Sequence, residues 1–125
     1  MTTGITGYRK LEVWQFAMDW IELVYRSSAG WPKDERFGLT SQVRRASVSV
    51  ASNIAEGAAR STTGEFLQFV GIARGSLAEA ETQLMIAARL GYLEPAAESR
   101  LMTAADRISR MLVSLAAALR DRKSR

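Results

Sequence analysis

Asn53, Glu56 and Gly57 form the most signature-like polar cluster in the chain. Glu56 has the chemistry of an acid or a metal ligand, but a lone carboxylate without a second ligand does not make a cation site. The cluster therefore reads as structural. Asn53 and Glu56 are expected to pair with a neighbouring helix through Arg44 or Arg45, while Gly57 ends its own helix in the left-handed conformation. Glu79 and Glu81 stand two apart and face different sides of a helix, so they cannot act as a carboxylate pair. Glu79 lies beside the small residues Gly71, Gly75 and Ala78 and is expected to bond to a neighbouring helix.

The serines Ser41, Ser47, Ser49, Ser52 and Ser76 lack a visible base. The chain has no histidine and no cysteine, which removes the commonest general base, zinc–thiolate sites, disulfides and Cys nucleophiles. A Ser–Lys arrangement would have to draw on Lys10, Lys33 and Lys123, all in terminal or loop segments. Gly71-Ile72-Ala73-Arg74-Gly75 sits in mid-helix rather than between a strand and a helix, so it is no phosphate loop. A small carboxylate-dependent enzyme would need a convergent site that the sequence does not assemble. No catalytic residue, metal or cofactor is expected, and the chain reads as non-enzymatic.

Arginine is the residue with chemistry to spare. It outnumbers lysine 14 to 3, and its planar fork suits phosphates and carboxylates. Arg44, Arg45, Arg60, Arg74 and Arg89 come from the second and third periodic segments and the turn between them. Arg107, Arg110, Arg120, Arg122 and Lys123 come from the last segment and its tail. From Arg100 onward seven basic residues stand against two acidic ones, so the net charge of +4 is concentrated there and residues 1–99 carry a net −1. Such a patch attracts phosphate. The same enrichment also arises from high genomic GC content, with basic C-termini serving solubility and the helix dipole.

Four periodic segments position these groups. From about Leu11 to Ser28, Trp14, Ala17, Ile21 and Val24 recur at spacings of three and four, one helical face. Phe16, Met18, Trp20 and Tyr25 widen that stripe, which calls for two neighbours or a subunit interface. Gly30-Trp31-Pro32 ends it. From about Gly38 to Glu56, Leu39, Val43, Ala46, Val50 and Ile54 form a second stripe. The run Ala46–Val50 has strand-like alternation, but no partner strand exists elsewhere and helix is preferred. Phe66, Val70, Ala73, Leu77, Ala80, Leu84 and Ala87 form a sustained heptad seam, capped by Thr63 and closed by Gly91. Gly71, Gly75 and Ala78 leave a smooth stripe for close approach of another backbone. The fourth segment, about Glu94 to Arg120, carries Leu101, Ala105, Ile108, Leu112, Leu115 and Leu119, with Pro95 in its first turn.

The pattern predicts an all-α, up-and-down antiparallel four-helix bundle over residues 1–125, with a basic tail over about 120–125. Met1–Gly4 shows no secretory signal and no apolar run approaches a membrane span, which predicts a cytoplasmic protein without a membrane partner.

The runs Tyr8–Trp14, Gly38–Ala46, Ser52–Gly57, Glu65–Phe69, Ala73–Glu79 and Leu90–Leu93 resemble the four-helix-bundle family of bacterial 23S rRNA intervening-sequence proteins. The likeness spans nearly the whole chain, with Trp14, Asn53, Glu56, Gly57, Gly75 and Glu79 as its structural signature. It implies a ring-shaped homopentamer and a relation to the accessory variability proteins of diversity-generating retroelements, which bind nucleic acid and associate with a reverse transcriptase. The chain is less basic than those relatives. It also carries Ala51 where many family members have proline, which should leave a straighter second helix.

The leading expectation is an oligomeric adaptor binding RNA or DNA through Arg44, Arg45, Arg60, Arg74, Arg107, Arg110, Arg120, Arg122 and Lys123. The alternative is a protein–protein scaffold that presents Trp20, Trp31 or Tyr92 to a partner protein, with its arginines serving only as surface charge.

Overall fold

The computed structural model describes residues 7–124. Met1–Gly4, read above for a secretory signal, and Arg125 of the basic tail lie outside the described residues. Four α-helices follow in order: α1 (Glu12–Ser28), α2 (Leu39–Ala58), α3 (Thr63–Arg89) and α4 (Pro95–Lys123). Short 3-10 turns at Gly7–Lys10 and Lys33–Glu35 precede α1 and α2. No strand occurs among the described residues, and Ala46–Val50 is helical within α2.

Local chemistry sets the helix ends. Thr62, rather than Thr63, caps α3. Its backbone is extended (φ −119°, ψ 148°), and its hydroxyl oxygen accepts the Glu65 amide at 3.1 Å. That hydroxyl also donates to Glu65 Oε1 at 2.9 Å, so Thr62 and Glu65 lock the first turn much as a capping box does. Gly91, at φ +82°, closes α3. The Tyr92 amide reaches back to the Ala87 carbonyl at 2.9 Å and the Gly91 amide to Ala88 at 3.0 Å, the pairing of a Schellman end. Pro95 occupies the first turn of α4 and Glu98 complements its dipole.

Each helix packs against its two neighbours, α1–α2–α3–α4–α1, with no diagonal pair in contact among the described residues. The directions alternate. Gly57 meets Phe66 and Phe69 at one end of α2–α3, while Ser49 and Ser76 share a hydrogen bond of 2.8 Å further along. The result is the up-and-down antiparallel four-helix bundle that the heptad seams predict.

One core runs through it. Val70, Ala73, Leu77, Ala80, Leu84 and Ala87 of α3 are buried, as are Leu101, Ala105, Ile108, Leu112 and Leu119 of α4. Two stripes are rotated from expectation. In α1 the buried line is Val13, Ala17, Trp20 and Val24, with Trp14 and Ile21 half-buried. In α4 it is Ala116, not Leu115, that is fully buried. A stripe wider than one seam fixes a side of the helix, and the partners' side chains decide which residue sits deepest. Trp20 and Trp31 are only 2% and 7% exposed, so neither is presented to a partner protein. Tyr92 instead donates its hydroxyl to Glu35 Oε2 at 2.9 Å, tying the α3–α4 turn to the α1–α2 connector. That bond, with burial and the charges of Glu35 and Asp34, holds the Tyr92 phenol above its ordinary value of 10.

Gly57 does not end α2. It stays helical, because positive φ occurs among the described residues only at Gly7 and Gly91. Its role is close approach: a Cβ there would lie 2.7 Å from Phe69 Cβ and 3.3 Å from the Phe66 carbonyl oxygen. Gly71 and Gly75 behave oppositely. Both are exposed, and a Cβ at either meets nothing within 4 Å. The smooth stripe on α3 therefore receives no other helix among the described residues. No helix among the described residues is long and apolar enough to cross a membrane.

Candidate nucleic-acid interface

The fold uses several of the arginines that the sequence offers. Arg44, half-buried on α2, donates from Nε to Ser28 Oγ at 2.9 Å and from its terminal nitrogen to the Tyr25 carbonyl at 3.1 Å. Its guanidinium also covers the Tyr25 ring at 4.6 Å. Tyr25 carries one of the last four carbonyls of α1, which lack a backbone amide partner inside the helix; the Ser28 hydroxyl also donates to it, at 3.3 Å. A cation placed there satisfies the carbonyl and opposes the dipole. Arg44 thus holds the end of α1 in place.

Arg60 bridges Glu56 at 2.9 Å and Glu65 at 3.9 Å, and lies over Phe69 at 5.0 Å. Glu56 therefore pairs with Arg60 just beyond its own helix, and neither Arg44 nor Arg45, which share α2 with it, links it to a neighbouring helix. Asn53 likewise turns inward on its own helix, donating to the Ser49 carbonyl at 2.8 Å and to Ser49 Oγ at 2.9 Å. Through Ser49 it joins the hydroxyl contact with Ser76, so its link to α3 is indirect. Glu79 is exposed and makes no bond to a neighbouring helix. It lines a shallow surface groove with Phe37, Ser41, Gln42, Arg45, Ala46 and Ser49. The described residues contain no group of three or more carboxylates that could hold a metal ion.

Arg45, Arg74, Arg89, Arg120, Arg122 and Lys123 are exposed. They are spread over α2, α3 and the far end of α4, and the structure does not gather them into one site. Lys123 leans across α4 to the start of α3, its Nζ 3.4 Å from where a Gly64 Cβ would be.

What the structure does gather is a groove of about 960 Å³ between α1 and α4. Arg100, Thr103, Arg107, Arg110 and Ser114 line it at alternating spacings of three and four, the period of one helical face. Ser99, Ala104 and Met111 fill in from α4, and Glu12 and Phe16 come from α1. The Arg107 guanidinium lies over the Phe16 ring at 4.0 Å, a cation–π contact. Arg110 is engaged by Asp106 one turn back along α4. Arg100 and Arg107 have no carboxylate partner among the described residues. They stand seven residues apart, about 10 Å along the helix axis. The groove thus carries three arginines and one carboxylate, Glu12, at its rim, with an apolar floor.

Sequence reasoning puts Arg107 and Arg110 among the binding residues, but counts Arg100 only toward the charge of the last segment and Phe16 only toward the apolar stripe of the first helix. One signal was available, since Arg100 and Arg107 are a heptad apart beside the seam of Leu101 and Ile108. Phe16 carried none. Its contact with Arg107 joins residues 91 positions apart and exists only once α1 and α4 are paired.

On the α3–α4 side, burial and then the charge of Asp106 raise Glu81 above its ordinary carboxyl value of 4.5. Glu81 faces a like charge across the seam, which marks a packing cost rather than a catalytic acid.

Fold and surface together define a class: an all-helical bundle with an arginine-rimmed groove and no histidine or cysteine chemistry. Within that class the family is identifiable. The family model described as 23S rRNA-intervening sequence protein matches residues 9–114, and the chain belongs to that family. Among solved structures, the chain is similar to a protein of unknown function from the S23 ribosomal protein family of Bacteroides thetaiotaomicron VPI-5482. The TM-score is 0.75 at 19% identity, covering 83% of this chain and 97% of that one, a likeness of fold alone. No curated protein matches the chain.

Proposed function

We propose that the protein is a non-enzymatic, self-associating adaptor that binds nucleic acid, with RNA as its natural ligand. The observation that carries this reading is the pair Arg100 and Arg107, unpaired with any carboxylate among the described residues, on the rim of the α1–α4 groove. Guanidinium groups without acidic partners are free to give forked hydrogen bonds to phosphate oxygens. The family's connection with 23S rRNA favours RNA over DNA. The absence of histidine and cysteine supports a binding role over a catalytic one.

Self-association, in the ring-shaped homopentamer that the family resemblance implies, draws support from the apolar surface. Met18, Val48, Ile72, Met85, Ile86 and Val113 are exposed large hydrophobics, and the open Gly71–Gly75 face of α3 offers a close approach to another backbone. Repetition of the groove around an oligomer would turn weak single contacts into avid binding.

Titration of a labelled rRNA fragment, followed by fluorescence anisotropy across a salt series, tests the reading. Binding is expected to weaken with salt, each neutralised phosphate adding about −0.7 to −0.9 to the log–log slope. Arg100→Glu with Arg107→Glu should abolish it, while Arg74→Glu should leave most of it intact. No retention on RNA, or retention indifferent to salt, refutes the reading. Light scattering addresses assembly separately: a clean monomer at micromolar concentration refutes the ring.

A further inference from the structure

We propose that the α1–α4 groove takes an unpaired base of single-stranded RNA, stacked on the Arg107–Phe16 pair with its neighbouring phosphate on Arg100. This rests on the nucleic-acid reading above and specifies the form of the ligand. Three features of the groove carry it.

The first is the stack itself. The Arg107 guanidinium carbon lies over the Phe16 ring, 4.0 Å from its centre. A guanidinium supported on one face by a ring presents its other face as a planar, cationic platform, the kind of surface on which nucleobases stack. A pure phosphate contact needs no such support, because a flexible cation meets a phosphate as well from open solvent.

The second is the floor. Met111 and Ala104 make it apolar, while Thr103 supplies a hydroxyl between the two arginines. A phosphate backbone leaves apolar surface unfilled, whereas a base covers it and can bond the hydroxyl through an edge. The third is charge and spacing. Arg100 lies about two helical turns from Arg107, roughly 10 Å along the axis, which leaves room for a nucleotide between a stacked base and the next phosphate. In a duplex the base faces are already occupied by stacking and only backbone and groove edges are offered. A duplex can therefore meet the arginines but not the platform.

The test uses the full chain and a mixed-sequence 12-mer RNA, single-stranded or annealed to its complement, measured by anisotropy at one salt concentration. The single strand is expected to bind at least about tenfold more tightly, as loss or gain of one stacked base implies. Arg107→Lys keeps the charge and removes the plane. It should weaken single-strand binding about tenfold and duplex binding, which loses only the forked phosphate contact, by clearly less, with the salt slope unchanged. Phe16→Leu, which keeps the wall apolar and removes the ring, should do the same, with circular dichroism confirming the helical fold.

Equal binding of single strand and duplex overturns the inference and leaves the nucleic-acid reading standing. So does an Arg107→Lys protein that binds both forms as before, or loses both equally. Displacement of the RNA by polyglutamate at equal charge concentration also overturns it, because that marks a site for an acidic chain. Failure of both RNA forms to bind overturns the nucleic-acid reading and this inference with it.

Discussion

Along α2 and α3 the groups that meet are small. Gly57 lets the Phe66–Phe69 turn sit directly on α2, the Ser49 and Ser76 hydroxyls touch, and alanines such as Ala46, Ala51, Ala73 and Ala80 are buried on the two helices. Along α1 and α4 they are large. Trp20 reaches across to give its indole proton to the Leu101 carbonyl at 3.2 Å, and Arg107 lies over Phe16. The first seam is closely packed, with only the shallow groove beside Phe37 and Glu79 along it. The second is propped by larger side chains, and the wider groove lies along it. The bundle spends its close packing on one side and keeps an accessible, cationic recess on the other.

Trp20→Ala should break this contrast most sharply. It removes the largest buried side chain of the propped seam together with its hydrogen bond. A loss of about 3–5 kcal/mol is expected from chemical denaturation, as for other buried tryptophan truncations. A loss below 1 kcal/mol would mean that the seam is held elsewhere.

The closed seam should respond to the smallest addition. Gly57→Ala places a Cβ within 2.7 Å of Phe69 Cβ and should cost about 1–3 kcal/mol by overpacking. Gly71→Ala and Gly75→Ala add the same methyl where nothing lies within 4 Å. Each should stabilise the chain by about 0.5–1 kcal/mol through helix propensity alone. Opposite signs in the melting temperature confirm that one glycine serves packing and the other two do not serve it within the chain. If Gly75→Ala also disrupts assembly by light scattering, the open face belongs to a subunit contact.

The smallest effect concerns the α3–α4 seam. Burial and Asp106 raise the Glu81 carboxyl in the folded state, so unfolding relieves a cost wherever the unfolded chain would be ionised. That cost is absent below the ordinary carboxyl value of 4.5 and grows as pH rises through and above it. Glu81→Gln should therefore raise the melting temperature slightly at pH 7 and leave it unchanged at pH 3.5. An equal gain at both pH values would rule out ionisation as the cause.

The heptad seams of α3 and α4 could be read directly, because a repeat of three and four survives whatever the helix packs against. So could the ends at Gly91 and Pro95, where one residue's backbone preference dominates. The cap at Thr62 was misplaced by one position, since Thr62 and Thr63 have the same chemistry and differ only in backbone conformation. In α1 the broad apolar face conceals which residues lie deepest, so Trp20 reads only as one member of a widened stripe that calls for two neighbours or a subunit interface.

The arginines mark the boundary most clearly. Composition alone determined that this chain is rich in guanidinium, poor in lysine and without histidine or cysteine, and periodicity determined four amphipathic helices. Only the tertiary structure decided that Arg44 holds the end of α1, that Arg60 is shared between two glutamates, and that Arg100 and Arg107 are left to rim a groove. The physical reason is that helical spacing fixes the face a side chain occupies. Whether that face is closed or open depends on the combined bulk of two helices far apart in the chain. A guanidinium is available to a ligand only where no carboxylate or carbonyl, from its own helix or the opposing one, comes within bonding reach of it.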